Sequence, residues 1–203
     1  MPIVAKGIAK PVLITGHQGS NNSALNFVAL FPETQSAILV LTNGLANNDV
    51  ADWIGQLLLK TYLDSPEKNE YLELVRRSAA KSNARWPKIK ADLERERIPN
   101  THPKALPSYV GRFDNKPKTL YLEIGLKDNA LQMCFQGNHD QWYPLEHYEE
   151  EVFTSALTRD ESVHRGRFPV TWQAFYKLRF QASESDKFES LIWDVLYPQP
   201  DYF

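Results

Sequence analysis

The chain has 203 residues, 42% of them hydrophobic, with 23 Lys and Arg against 25 Asp and Glu. That length fits one large domain or two small ones, and the apolar share is enough to build a core. A net charge of −2 with the two signs interleaved argues against a nucleic-acid partner, and the most basic stretch, Arg76 to Arg97, reads as a solvated helix face. No apolar run reaches the ~18 residues that span a bilayer. The start, Met1 to Gly7, lacks a charged region followed by a sustained apolar one, so no secretory signal is expected. Cys134 is the only cysteine, which excludes an intrachain disulfide. These features together point to a cytoplasmic protein in a reducing compartment, without a membrane partner.

Residues 1–64 read as a partial antiparallel sheet with a packing helix. Pro11 to Gly16 is a short β-prone run. From Ala24 to Pro32, Leu25, Phe27, Ala29 and Phe31 alternate with Ala24, Asn26, Val28 and Leu30. Ser36 to Asn43 is continuously apolar, as expected of a strand covered on both faces. Polar breaks at Gln18 to Ser23 and Glu33 to Gln35 separate the runs, so hairpins are the simplest connections. Asn47, Asn48 or Asp49 can cap the helix that follows. On it Val50, Trp53, Ile54, Leu57, Leu58 and Tyr62 share one face at helical spacing.

Residues 65–107 read as a charged helical connector ending in a proline-rich linker, Pro99 to Pro107. Pro66 suits a first helical turn. Tyr71, Leu74 and Val75 form a narrow apolar stripe, and Pro87 is expected to break or kink the helix before a second short one carrying Ile89 and Leu93. Residues 108–203 read as all-β. Leu120, Leu122, Ile124 and Leu126 alternate along one run, and Leu131, Met133 and Phe135 along the next, joined by Lys127-Asp128-Asn129. Trp172, Ala174, Tyr176, Leu178 and Phe180 are expected on one strand face, and Leu191, Trp193, Val195 and Tyr197 on another. Period two over short strands predicts an antiparallel barrel or sandwich, so the whole chain is α+β.

Two resemblances cover most of the chain. His17-Gln18-Gly19, then Phe31-Pro32, then Leu41-Thr42-Asn43 and a closing helix resemble the last part of the serine β-lactamase-like hydrolases. That family includes class C β-lactamases and penicillin-binding-protein-like esterases, and its third motif is commonly His-x-Gly on a strand. Tyr109-Val110-Gly111-Arg112-Phe113-Asp114-Asn115 is similar to the opening of the lipocalin-like β-barrel often appended to those hydrolases. Leu145-Glu146-His147-Tyr148 and Leu191-Ile192-Trp193-Asp194 fit that module too, particularly its fungal versions.

The resemblance implies a Ser-x-x-Lys nucleophile, a Tyr-x-Asn or Tyr-x-Ser proton relay, and a third-motif strand that lends an oxyanion-hole N–H. In the family the first two lie upstream of the third, and the residues before His17 hold neither. Two Ser-x-x-Lys strings occur downstream, Ser65-Pro66-Glu67-Lys68 and Ser78-Ala79-Ala80-Lys81, a match that chance alone supplies. Ser23 stands where family members often have a second glycine. The catalytic residues are therefore unassigned, and His17 and Gly19 read as the remnant of the third motif.

No metal site or cofactor is expected. His139, His147 and His164 are irregularly spaced and read as surface or strand-end histidines. Asp140, Glu146 and Glu149 to Glu151 read as a solvated charge run, and Cys134 as a small packing residue. Trp142, Tyr143, Trp172, Tyr176 and Trp193 either line an apolar ligand cavity or fill an ordinary core. The reading that follows is a shortened, non-hydrolytic accessory protein in small-molecule, secondary-metabolite metabolism. It is expected as a homo-oligomer, or with a partner chain over its partial sheet. The alternatives are a small-molecule binding protein, isomerase or cyclase using the barrel cavity, and an active serine hydrolase using Ser65 or Ser78.

Overall fold

The computed structural model describes residues 7–21, 24–44, 47–66, 69–155, 157–167, 170, 172–181 and 186–194. Ser23, Glu67, Lys68, Val195 and Tyr197, which entered the sequence argument, lie outside them. The chain forms two compact units, Met1–Trp86 with Ser162–Pro169, and Pro87–Glu161 with Val170–Phe203.

The first unit holds a three-stranded antiparallel sheet, β1 (Thr15–Asn21), β2 (Ala24–Phe31) and β3 (Ser36–Leu41), in the order β1-β2-β3. The alternation read in β2 sets its faces: Leu25, Phe27, Ala29 and Phe31 are buried. β1 extends through Gln18 to Asn21, residues that the polar composition assigned to a break. Pairing overrides composition there, because β2 offers a full ladder from Thr15↔Leu30 to Asn21↔Ala24. Thr42 prolongs the β3 ladder beyond its last residue. Its N–H and hydroxyl both donate to the Leu25 carbonyl, and its hydroxyl accepts from the Leu25 N–H.

The helix α1 (Val50–Tyr62) starts at Asp49, whose carboxylate accepts from the Asp52 N–H. It does not bury the stripe expected of it. Ala51, Asp52, Gly55, Gln56 and Leu59 face the sheet, while Ile54, Leu57, Leu58 and Tyr62 are largely exposed. The physical reason is close approach: the Phe27 ring lies where a Cβ on Gly55 would stand, 2.3 Å from the nearest ring carbon. Gly55 and Ala51 allow the close approach on the buried face, and Ile54, Leu57 and Leu58 are turned outward.

β3 is likewise covered on one face only. Val40 is buried, but Leu39 and Leu41 are 59% and 73% exposed, so the expectation of a doubly covered strand fails. The helix α2 (Tyr71–Glu96) is continuous through Pro87, where a break or a kink was expected, and starts well after Pro66. A proline clashes with, and leaves unpaired, the carbonyl four residues earlier. Here that residue is Asn83, which is exposed and can turn its carbonyl to solvent.

The second unit is built from two four-stranded antiparallel sheets. One has the order β4-β5-β6-β7, from β4 (Gly111–Asp114), β5 (Tyr121–Lys127), β6 (Ala130–Phe135) and β7 (Tyr143–Pro144). The other has the order β11-β10-β9-β8, from β8 (Glu146–Glu149), β9 (Val152–Thr154), β10 (Lys177–Gln181) and β11 (Ser190–Trp193). The β5–β6 hairpin turns at Asp128 and Asn129, both at positive φ, the geometry of a tight hairpin turn that Asp and Asn tolerate. Both sheets share one core containing Tyr109, Phe113, Ile124, Met133, Phe153, Leu178, Phe180 and Phe188.

The motif around Tyr109 has a packing reason at each position. Tyr109 is fully buried and its ring contacts Phe153, Phe180 and Phe188. Phe113 packs edge-on against Phe180. The Asn115 side chain accepts from the N–H groups of Thr119 and Leu120, closing the β4–β5 connection. One expected strand is shorter than read: Gln173–Tyr176 is a single 3-10 turn before β10, so Trp172, Ala174 and Tyr176 do not continue the face of Leu178 and Phe180. A short helix, α3 (Arg159–His164), completes the regular structure among the described residues. No helix there is long and apolar enough to cross a membrane.

Candidate functional site

In the first unit the strand carrying His17 and Gly19 is an edge of its sheet. His17 is exposed opposite Val28, and Gly19 is half-buried opposite Asn26. Gln18, between them, points the other way along the pleat and borders a polar pocket of about 310 Å³. The pocket is also lined by Asn47, Asn48, Asp49, Asp52 and Trp53 from the start of α1, and by Ser78, Lys81, Ser82 and Arg85 from α2. The α2 set has helical spacing, so these four side chains share one face. Asn48 fixes that end of α1 by donating to the Val75 carbonyl at 3.0 Å.

Asp52 is the buried acid of this pocket. Its Oδ2 accepts from Gln56 Nε2 at 2.5 Å, whereas Oδ1 has no hydrogen-bond partner among the described residues. Burial pushes its carboxyl above the usual range and the neighbouring Asp49 adds to this, against the opposing amides of Gln18 and Gln56. Ser78 and Lys81, one turn apart, thus face a pocket that also holds two carboxyl groups. A lysine acts as a base where burial or other cations favour loss of its proton. Lys81 is exposed. Ser65 is described but Lys68 is not, so that pair has no described geometry.

In the second unit the edges of β4 and β11 border a cleft of about 220 Å³. Phe113, Leu122, Leu191 and Trp193 give it apolar walls, and Asp114, Asn115, Glu189 and Ser190 give it a polar rim. The five aromatic residues singled out by the sequence are distributed differently. Trp193 borders the cleft, and its indole N–H donates to the Phe175 carbonyl at 2.8 Å. Its ring meets Phe135 and Phe175, and Phe175 in turn meets Trp172 and Tyr176. Tyr143 is buried in the shared core against Phe135. Tyr176 is buried with its hydroxyl donating to the Val170 carbonyl, and desolvation pushes that hydroxyl up to about 12. Trp142 stands apart, stacked on His139. The structure therefore links four of the five through ring contacts and puts one at the cleft.

Of the remaining polar candidates, Cys134 and His139 come together beside Glu123. His147 bonds the Glu150 carbonyl through Nε2 at 2.9 Å, and His164 is exposed at the end of α3. Glu151 accepts from the Tyr109 hydroxyl, and Glu149 accepts from the Ile98 N–H, so part of the acidic run has structural bonding work. The cleft residues Phe113, Leu122 and Leu191 were missed as a site because period two marks them only as core.

Residues 95–203 match the family described as a domain of unknown function, DUF3471. That is more than half of the chain, and the chain belongs to this family. The match contains the whole of the cleft and none of the polar pocket. Among curated proteins no relative matches. One solved structure, the octameric penicillin-binding protein homologue from Pyrococcus abyssi, is 18% identical over 72% of this chain and 27% of its own, with a TM-score of 0.24. A likeness at that level carries no argument about this chain's fold or chemistry.

Proposed function

We propose that this chain is a non-hydrolytic accessory protein in small-molecule, secondary-metabolite metabolism, a relative of the fungal serine β-lactamase-like hydrolases that works with a second copy of itself. In this reading residues 1–64 are a hydrolase-like part, 65–107 the connector and 108–203 a lipocalin-like barrel module. The supporting observation is the outer face of the β1–β3 sheet. Leu30, Leu39 and Leu41 are 45%, 59% and 73% exposed there, beside Val28, which pairs with Leu39. A contiguous apolar sheet face of this kind marks an association surface. Light scattering at micromolar concentration is expected to give an oligomer. A monomer at that concentration would count decisively against the reading.

The non-hydrolytic part is tested separately. Ser78 is the serine a covalent probe would reach, since it shares the polar pocket with Lys81 and Gln18. Treatment with a fluorophosphonate or penicillin probe is expected to leave the chain unlabelled. Labelling that disappears in Ser78→Ala would establish the hydrolase reading instead.

A second reading, ligand binding in the DUF3471 region, is favoured by Trp193 at the border of the 220 Å³ cleft. The apolar walls with a polar rim fit a small, mainly apolar molecule. Such a ligand would change Trp193 fluorescence. A broad lipophilic set that produces no change, or the same change in Trp193→Phe, would exclude this reading.

A further inference from the structure

The outer face of the β4–β7 sheet carries side chains that neither the core nor the cleft uses. Glu123 on β5 and Cys134 on β6 are directly opposed in the antiparallel register, so they project side by side from the same face. The chain then turns back over that face. Gln136 and Gly137 both take positive φ, and the Gln136 side chain fixes the turn by donating to the Thr119 carbonyl and accepting from the Tyr121 N–H. The returning loop delivers His139 beside the two strands. Trp142 settles on Gly125, where a Cβ would come within 3.1 Å of its ring, and stacks on His139 with centroids 5.4 Å apart and planes 6° from parallel. His139 Nε2 lies 3.0 Å from Glu123 Oε2. One thiol sulfur, one imidazole nitrogen and one carboxylate oxygen thus lie within 4.8 Å of one another.

We propose that Glu123, Cys134 and His139 form a zinc-binding site in the DUF3471 region. A donor set of thiolate, imidazole and carboxylate suits Zn²⁺ and does not suit Ca²⁺ or Mg²⁺, which take oxygen ligands. Around a tetrahedral zinc, with Zn–S near 2.3 Å and Zn–N or Zn–O near 2.0–2.2 Å, donor atoms sit about 3.3–3.6 Å apart. Zinc therefore opens the His139–Glu123 pair by a few tenths of an ångström and closes the widest separation, 4.8 Å at most, by up to about 1.2–1.5 Å. His139 is on an exposed loop and can make that adjustment, while the β5–β6 ladder holds Glu123 and Cys134. The ion has a path in, since the His139 and Glu123 side chains are 60% and 37% exposed although Cys134 is fully buried. Three protein ligands leave the fourth position to water, the arrangement of an open site. By spacing alone His139 reads as a strand-end histidine and Cys134 as packing. The hairpin and its return loop are what unite them.

The test uses the full, reduced chain. Titration with zinc against a chromophoric chelator, with native mass spectrometry for stoichiometry, is expected to give one tightly bound zinc per chain. Cobalt in its place is expected to show a thiolate-to-metal charge-transfer band, which Cys134→Ser abolishes. Cys134→Ser and His139→Gln are each expected to weaken zinc binding by at least about tenfold. His139→Gln, on an exposed loop, keeps the test valid even if Cys134→Ser folds poorly. His147→Gln, outside the cluster, is expected to bind zinc as the parent does. Failure of the parent to take up stoichiometric zinc, or unchanged affinity in His139→Gln, overturns the assignment.

Discussion

Tyr109 is fully buried at the centre of the second unit and still carries a polar group. Its hydroxyl donates to the Glu151 carboxylate and accepts from the Lys104 N–H at 2.9 Å. Tyr109→Phe keeps the ring contacts but leaves both partners without their bond. It should cost about 1–3 kcal/mol, the price of unsatisfied groups at a buried site. Urea denaturation measures it, and an unchanged midpoint would show that water replaces the hydroxyl. Tyr176 makes a pH prediction. Burial raises its hydroxyl from 10.0 to about 12, so the native state holds the proton more tightly than the unfolded chain. The stability this supplies is complete below about pH 10 and is lost as pH rises toward 12. Desolvation acts in the same direction on Tyr109 and Tyr148. Tyr176→Phe should therefore flatten part of the alkaline limb of a stability–pH curve. An unchanged limb would mean that Tyr176 ionises no differently in the two states.

At the scale of elements, the packing of α1 on β2 turns on Gly55. A methyl group there would stand 2.3 Å from the Phe27 ring. Two effects compete in Gly55→Ala. Helix propensity favours alanine by about 0.8–1 kcal/mol. Overpacking in a buried interface costs about 1–3 kcal/mol, because helix or ring must move. The overlap is severe, so the net effect should be destabilising, read as a lower melting temperature. Gly44→Ala is the control, since its added Cβ meets nothing within 4 Å. Equal melting temperatures for the two variants would show that the packing cost at Gly55 is no larger than the helix-propensity gain. The helix amphipathicity in the sequence located α1 and offered Asn47, Asn48 or Asp49 as its cap, of which Asp49 serves, but assigned the wrong face. Hydrophobic spacing marks large apolar residues, whereas a tight helix–sheet approach selects small ones. The strand alternation in β2, β5 and β6 was legible because a pleated strand has only two faces and one of them was buried. β1 was not legible at its far end, since its polar residues are strand only by virtue of pairing with β2.

Over the whole molecule, the prediction concerns the uncovered sheet face. Leu39→Lys with Leu41→Lys adds charge where the chain exposes apolar surface, so the double variant should dissociate an oligomer at unchanged helix content. Light scattering with circular dichroism checks this, and an oligomer that survives both substitutions would place the association surface elsewhere. The sequence by itself determined the α+β class, the inward residues of β2, β5 and β6, and the capped start of α1. Each follows from local rules, a period of two or a capping side chain, that act within a few residues. The tertiary structure alone decided which face of α1 is buried, that α2 runs through Pro87, that Gln18 shares a pocket with Ser78 and Lys81, and that Glu123, Cys134 and His139 meet. Those outcomes depend on segments far apart in the chain competing for the same space, and no local periodicity records the result of that competition.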